Sequence, residues 1–86
     1  MKIVYRKRFM KQYRKLQKRQ QHSVADVVDL FRQDPKNKKL CNHALKGDMQ
    51  GMRSISAGFD LRIIFMVYGD YITVIMLSVG THEEVY

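Results

Sequence analysis

Tryptophan is absent from these 86 residues, cysteine and proline occur once each, and no acidic side chain stands among the first 25. The single cysteine, Cys41, has no partner for an internal disulfide, which excludes a disulfide-stapled scaffold and fits a reducing cytoplasm. One proline and five glycines exclude collagen-like and low-complexity chains. The apolar runs are broken by Arg62, Gly69, Asp70 and Thr73, so no segment is long enough to span a bilayer and no membrane partner is expected. Residues 1–10 are basic but contain neither an apolar h-region nor a small-residue cleavage site, so secretion is not expected. What is present is a globular composition, 45% hydrophobic and 28% charged, on a length that allows one small domain over residues 1–86.

The net charge of +8 is unevenly placed. Lys2, Arg6, Lys7, Arg8, Lys11, Arg14, Lys15, Lys18 and Arg19 put nine cations in residues 1–25, whereas the remainder carries seven cations and eight acids, a net of −1. A solvated helix face that keeps a small protein soluble would use some of these charges. A stripe without any compensating acid suits a polyanion better, either nucleic acid or an acidic partner.

Periodicity divides the chain into elements. Lys2 to Tyr5 reads as a short strand. From Arg6 onward Phe9, Tyr13 and Leu16 recur at helical spacing, with cations on the other faces. Ser23 with Asp26 three residues on predicts the start of a second helix, leaving Gln20-Gln21-His22 as a solvated junction. Val24, Val27, Val28 and Phe31 form its stripe, and Asp34-Pro35 ends it. Met52 to Ala57, Leu61 to Tyr68 and Tyr71 to Val79 read as strands separated by turns at Ala57-Gly58 and Gly69-Asp70. The last two runs are apolar on both faces, which predicts cover on both sides. The order β-α-α-β-β-β makes an α+β protein, a helical hairpin packed on a curved, mainly antiparallel sheet. Residues 36–50 are the one long polar connection, a place where function often resides.

Few residues can carry chemistry. His43 lies in that connection and His82 near the C-terminus, and an imidazole suits acid or base work near neutrality. No histidine or cysteine pair has metal-ligand spacing, and no phosphate-binding glycine loop or nucleophile elbow is present, so neither a metal nor a cofactor is expected. Arg62 opens an apolar strand, where its charge must reach a carboxylate such as Asp48 or Asp60, solvent, or an anion whose oxygens match its fork of donors.

Leu45-Lys46-Gly47, Gly51, Leu61-Arg62-Ile63-Ile64-Phe65 and Ser78-Val79-Gly80-Thr81-His82-Glu83-Glu84-Val85-Tyr86 occur in an order that resembles the RelE/YoeB/YafQ superfamily of bacterial toxins. The His43-x-Leu45-x-Gly47 loop and the Gly80-Thr81-His82 ending are similar to the YafQ branch in particular. The resemblance implies the RelE-like microbial ribonuclease fold. It also implies a toxin of a type II toxin-antitoxin system, an mRNA interferase of the bacterial cytoplasm that cuts mRNA in the ribosomal A site and is silenced by a cognate antitoxin. Position by position, His43 matches the branch's loop histidine, Asp60 its acidic residue, Arg62 the strand arginine, His82 the histidine of the ending and Tyr86 the terminal aromatic, with Arg53 a weaker match to a lysine of RelE. Ser56 stands where that branch has a further histidine, and Leu61 where it has tryptophan.

On this resemblance the expected reaction is attack of a 2′-OH on the adjacent phosphate, giving a 2′,3′-cyclic phosphate. His82 serves as general acid, His43 or Asp60 as general base, and Arg62 stabilises the phosphorane. Tyr86 stacks on a splayed base, Lys46 and Arg53 clamp the RNA backbone, and Arg6, Lys7, Arg8, Lys11, Arg14, Lys15 and Lys18 dock on rRNA or beneath an acidic antitoxin segment. The competing expectation is a ParE-like toxin of the same fold, which binds DNA gyrase and cleaves no RNA.

Overall fold

The computed structural model describes residues 1–86. Strand β1 spans Lys2–Tyr5, and helix α1, Lys7–Lys15, follows with Arg6 as its N-cap. Only Leu16 and Gln17 separate it from helix α2, Lys18–Gln33. The second helix therefore starts five residues before the expected Ser23. Gln17 caps it, and the Gln20 side chain reaches back to the Gln17 N–H at 3.0 Å, a glutamine version of the capping box. Ser23 has different work. From within the helix its hydroxyl donates to the Ala57 carbonyl at 2.6 Å, tying α2 to the end of a strand 34 residues away. His22 lies inside α2 rather than in a junction, and it is exposed as expected.

The long connection is not plain loop. A 3₁₀ turn at Lys38–Leu40 leads to a two-residue strand β2, His43–Ala44, and a second 3₁₀ turn occupies Gly47–Met49. Strands β3 (Arg53–Ser56), β4 (Leu61–Tyr68) and β5 (Thr73–Thr81) follow, and a short helix α3 (His82–Val85) closes the fold. The last strand is displaced by two residues from the run Tyr71–Val79, because Asp70 and Tyr71 take positive φ in the turn and pairing begins only at Thr73.

The five strands make one sheet in the order β1-β5-β4-β3-β2, antiparallel throughout except for the parallel pairing of β1 with β5. The long crossover that parallel pairing requires runs through the helical hairpin and then strands β2, β3 and β4. Phe9 of α1 and Val24, Val28 and Phe31 of α2 pack on Ile55, Leu61, Ile63, Phe65, Val74 and Met76, all essentially closed to solvent. Beyond Met76 the edge of β5 loses its β1 partner. Gln12 of α1 compensates there by accepting the Val79 N–H at 2.8 Å, one way a fold covers an open edge.

Cover on both sides of the sheet is only half realised. The face opposite the hairpin buries Ser54, Ile64 and Ser78 under α3 and the 47–52 segment, but Arg62 and Met66 stay half open and Tyr68 exposed. The apolar character of β4 on that face therefore lines grooves rather than a second core. No helix is long and apolar enough to cross a membrane. The Cα radius of gyration, 11.8 Å, matches the roughly 12 Å expected of a packed chain of this length.

Candidate active site

Side chains facing away from the hairpin form rows across the sheet. Register pairs His43 with Ser54, Ser54 with Ile64 and Ile64 with Ser78 in one row, and Ser56 with Arg62 and Arg62 with Gly80 in the next. Directly opposed residues project to the same face, so His43 and Arg62 share it. Helix α3 brings the remaining groups. Its first residue is His82 and Tyr86 follows its last turn, with the two rings 4.5 Å apart at 60°.

His43, Leu45, Arg62, His82 and Tyr86 line a single open cleft of about 490 Å³. Four of the five residues expected to be catalytic thus converge, although 39 positions separate His43 from His82 in the chain. Asp60 is not among them. It sits exposed in the β3–β4 turn at φ 61°, outside the cleft lining.

Each cleft residue is held by something definite. His43 Nδ1 lies 2.7 Å from the Cys41 carbonyl, and Cys41 aims that oxygen by taking the left-handed conformation at φ 51°. A carbonyl only accepts, so Nδ1 carries the hydrogen and a neutral His43 presents the lone pair of Nε2. The Tyr86 hydroxyl donates to Ser54 Oγ at 2.7 Å, and Ser54 is fully buried in the floor. That bond fixes the ring over the sheet and takes up the phenol hydrogen. Arg62 Nη1 donates to the Leu61 carbonyl at 3.0 Å, and neither Asp48 nor Asp60 is its partner. The remaining guanidinium donors are available to an anion in the cleft.

Thr81 caps α3, and Glu84 accepts the Thr81 N–H at 2.8 Å. The hydrogen bonds from the Thr81 backbone and hydroxyl hold the Glu84 carboxyl below its ordinary value. Gly80 makes this close return possible, since a Cβ there would come within 3.0 Å of Glu84 Oε1 and 3.1 Å of Glu84 Cβ.

The expected RNA clamps separate. Lys46 is exposed beside Leu45 at the rim, whereas Arg53 shares the hairpin face with Ile55. Its Nε donates to Asn42 Oδ1 at 2.8 Å, and Asn42 Nδ2 in turn donates to the Pro35 carbonyl and the Tyr71 hydroxyl, each at 2.9 Å. Arg53 therefore anchors the segment that carries His43 and does not face the cleft. Leu45, part of the loop motif, lines the cleft, whereas Ser54 and the Cys41 carbonyl are site components that the residue types alone do not mark. Alternation along β3 could have placed Ser54 on the site face, but nothing local showed that Tyr86 would reach it.

A model of the family described as bacterial toxin of type II toxin-antitoxin system, YafQ, matches residues 1–86. No curated protein sequence matches significantly. Among solved structures, YafQ from Escherichia coli is similar with a TM-score of 0.81 at 19% identity, over 98% of this chain and 96% of that one. The E. coli DinJ-YafQ toxin-antitoxin complex gives 0.78 at 20% identity, over 98% and 94%. A copper-bound mutant toxin from Helicobacter pylori gives 0.75 at 25% identity, over 100% and 99%. The α+β architecture expected of the RelE-like toxins is the one observed.

Proposed function

The chain belongs to the YafQ family of bacterial type II toxins, and from that premise we propose that it is an endoribonuclease that inhibits translation by cutting mRNA. The observation that carries this reading is the convergence of His43, Arg62, His82 and Tyr86 in one cleft. His43 Nε2 takes the proton of a 2′-OH, the oxygen bonds to the adjacent phosphorus, and the bond from phosphorus to the 5′-oxygen breaks as His82 donates a proton to it. The products are a 2′,3′-cyclic phosphate and a 5′-OH. Each correctly placed proton-transfer group contributes roughly 10²–10⁴-fold. Arg62 meets the charge that builds on the phosphorane, and Tyr86, held by Ser54, offers its ring to a base.

Of the two bases the sequence left open, the geometry favours His43. Its Nε2 is free and it lines the cleft, while Asp60 does not. The Asp60 carboxylate is then a turn residue. The substrate is mRNA in the ribosomal A site, the place of action is the cytoplasm, and the silencing partner is a cognate antitoxin, as the E. coli complex suggests.

Primer extension on mRNA undergoing translation tests the reading. The protein should cut within the reading frame, and His82→Ala should cut slower by roughly 10²–10⁴-fold. Intact message with the unaltered protein, or equal cutting by His82→Ala, would overturn it.

A further inference from the structure

The basic stripe of the first 25 residues behaves as one feature in the sequence, and the fold divides it. Lys7, Lys11 and Arg14 recur at i, i+4 and i+7 and line a depression with Tyr5 and Met10. Arg8 lies on the neighbouring stripe of α1, in line with Gln12, and Gln12 is the residue that accepts the Val79 N–H from β5. Arg6 directly follows β1, and its own N–H donates to the Met76 carbonyl of β5 at 3.0 Å.

Both arginines thereby come to the catalytic side of the sheet. With Met49, Met52, Ile64 and Ser78 they line a groove of about 400 Å³. Its floor continues that of the cleft. Ile64 and Ser78 belong to the same cross-strand row as His43 and Ser54, and they lie two residues, about 6.6 Å, along β4 and β5 from Arg62 and Gly80. The end of α3 separates the two depressions, with Tyr86 lining one and Val85 the other.

We propose that this groove is a second nucleotide subsite, which takes the residue of single-stranded RNA next to the scissile phosphate. The proposal rests on the nuclease reading above and assigns Arg6 and Arg8 to the substrate rather than to the docking surface. The chemistry of the groove is divided as a nucleotide is divided. Arg6 and Arg8 supply planar, permanently charged forks for phosphate oxygens. Met49 and Met52 supply a polarizable, unbranched apolar wall that accepts any base face, which fits a site without strict base preference. The strand would bend over the Val85–Tyr86 ridge, which separates the base on Tyr86 from its neighbour and holds the intervening phosphate before Arg62.

Binding of a six-nucleotide RNA made of 2′-O-methyl residues tests this without any need for cleavage, because the nucleophile is blocked. Arg6→Gln/Arg8→Gln should weaken binding roughly tenfold or more and reduce the log-log salt slope by about 0.7 per engaged arginine. Lys38→Gln/Lys39→Gln, an equal change of net charge on an exposed 3₁₀ turn, should leave affinity within about twofold. The subsite is overturned if the arginine pair binds as the unaltered protein does, which is the result expected were the groove a seat for an acidic protein segment. It is also overturned if both pairs lose affinity equally, or if the unaltered protein does not bind the oligonucleotide. Loss of binding confined to the arginine pair, in a protein that fails to cut translated mRNA, would keep the subsite and remove the nuclease reading.

Discussion

The imidazole of His43 is oriented by a carbonyl that belongs to a residue in a left-handed conformation, so its placement depends on backbone as much as on side chain. A base must be deprotonated to act and an acid protonated, so kcat/KM should rise with pH on the acidic side through the base and fall on the basic side through the acid. His43→Ala should remove the rise, whereas Asp60→Asn should leave both limbs in place. A lost acidic limb in Asp60→Asn would return the base role to the carboxylate. The Tyr86–Ser54 bond makes a second prediction at this scale. Ser54→Ala leaves the phenol unpartnered over a buried floor and should cost about 1–3 kcal/mol of stability in urea unfolding. Combined with Tyr86→Phe, which removes the donor as well, the loss should be clearly less than the sum of the two single changes. Residue identities in the site were largely legible because histidine and arginine are conspicuous in an apolar sequence. Ser54 was not, since a serine in a strand looks like a solvated alternation until the C-terminal tyrosine is seen to reach it. Arg53 misled for the converse reason. Its charge suggests RNA, but the period of two puts it on the hairpin face, where Asn42 uses it.

At the scale of elements, two short devices decide where long elements end. The Thr81–Glu84 pairing starts α3, and the Glu84 carboxyl is held below its ordinary value by the hydrogen bonds it accepts from Thr81. A depressed carboxylate stabilises fully above the ordinary carboxylate range and loses that contribution as pH falls through its lower folded-state value. α3 should therefore loosen at acid pH, with the His82 and Tyr86 resonances moving together. Glu84→Gln, which keeps an acceptor but no charge, should abolish that pH dependence. The second device is the contact of α2 with the β3–β4 turn. Gly58 has φ 76°, and a Cβ there would stand 2.7 Å from Ser23 Oγ. Gly58→Ala should be destabilising by about 1–2 kcal/mol from the left-handed conformation alone, and by more from the clash. In a Ser23→Ala background the clash falls away, so thermal unfolding should show a smaller penalty for the same change. Serine followed three residues on by an acid is a capping pattern, which points to Ser23 as the start of α2. The true start uses glutamines, a weaker signal, and frees Ser23 for a bond across the fold.

The molecule as a whole divides its work between a cationic helix and a nearly neutral sheet. Arg6, Lys7, Arg8, Lys11, Arg14, Lys15 and Lys18 are all exposed. If the five left to docking, Lys7, Lys11, Arg14, Lys15 and Lys18, meet phosphates, ribosome binding should weaken with salt at a log-log slope of roughly −3.5, and a slope near zero would remove the docking role. By itself the sequence determined two helices and four of the five strands in their order, the stripe of charge and the few residue types suited to proton transfer and anion binding. Those properties follow from local period, turn residues and composition, which are written contiguously along the chain. Only the tertiary structure decided which of those residues meet. Register across β2, β3, β4 and β5 brings His43 and Arg62 to one face, and a glycine that lets α3 fold back adds His82 and Tyr86. The same register leaves Asp60 in its turn and Arg53 on the far side. The fold also splits one run of cations between a depression along α1 and a groove beside the cleft. Pairing of strands is a long-range choice made by burial of the hairpin face, so no window of the sequence contains it.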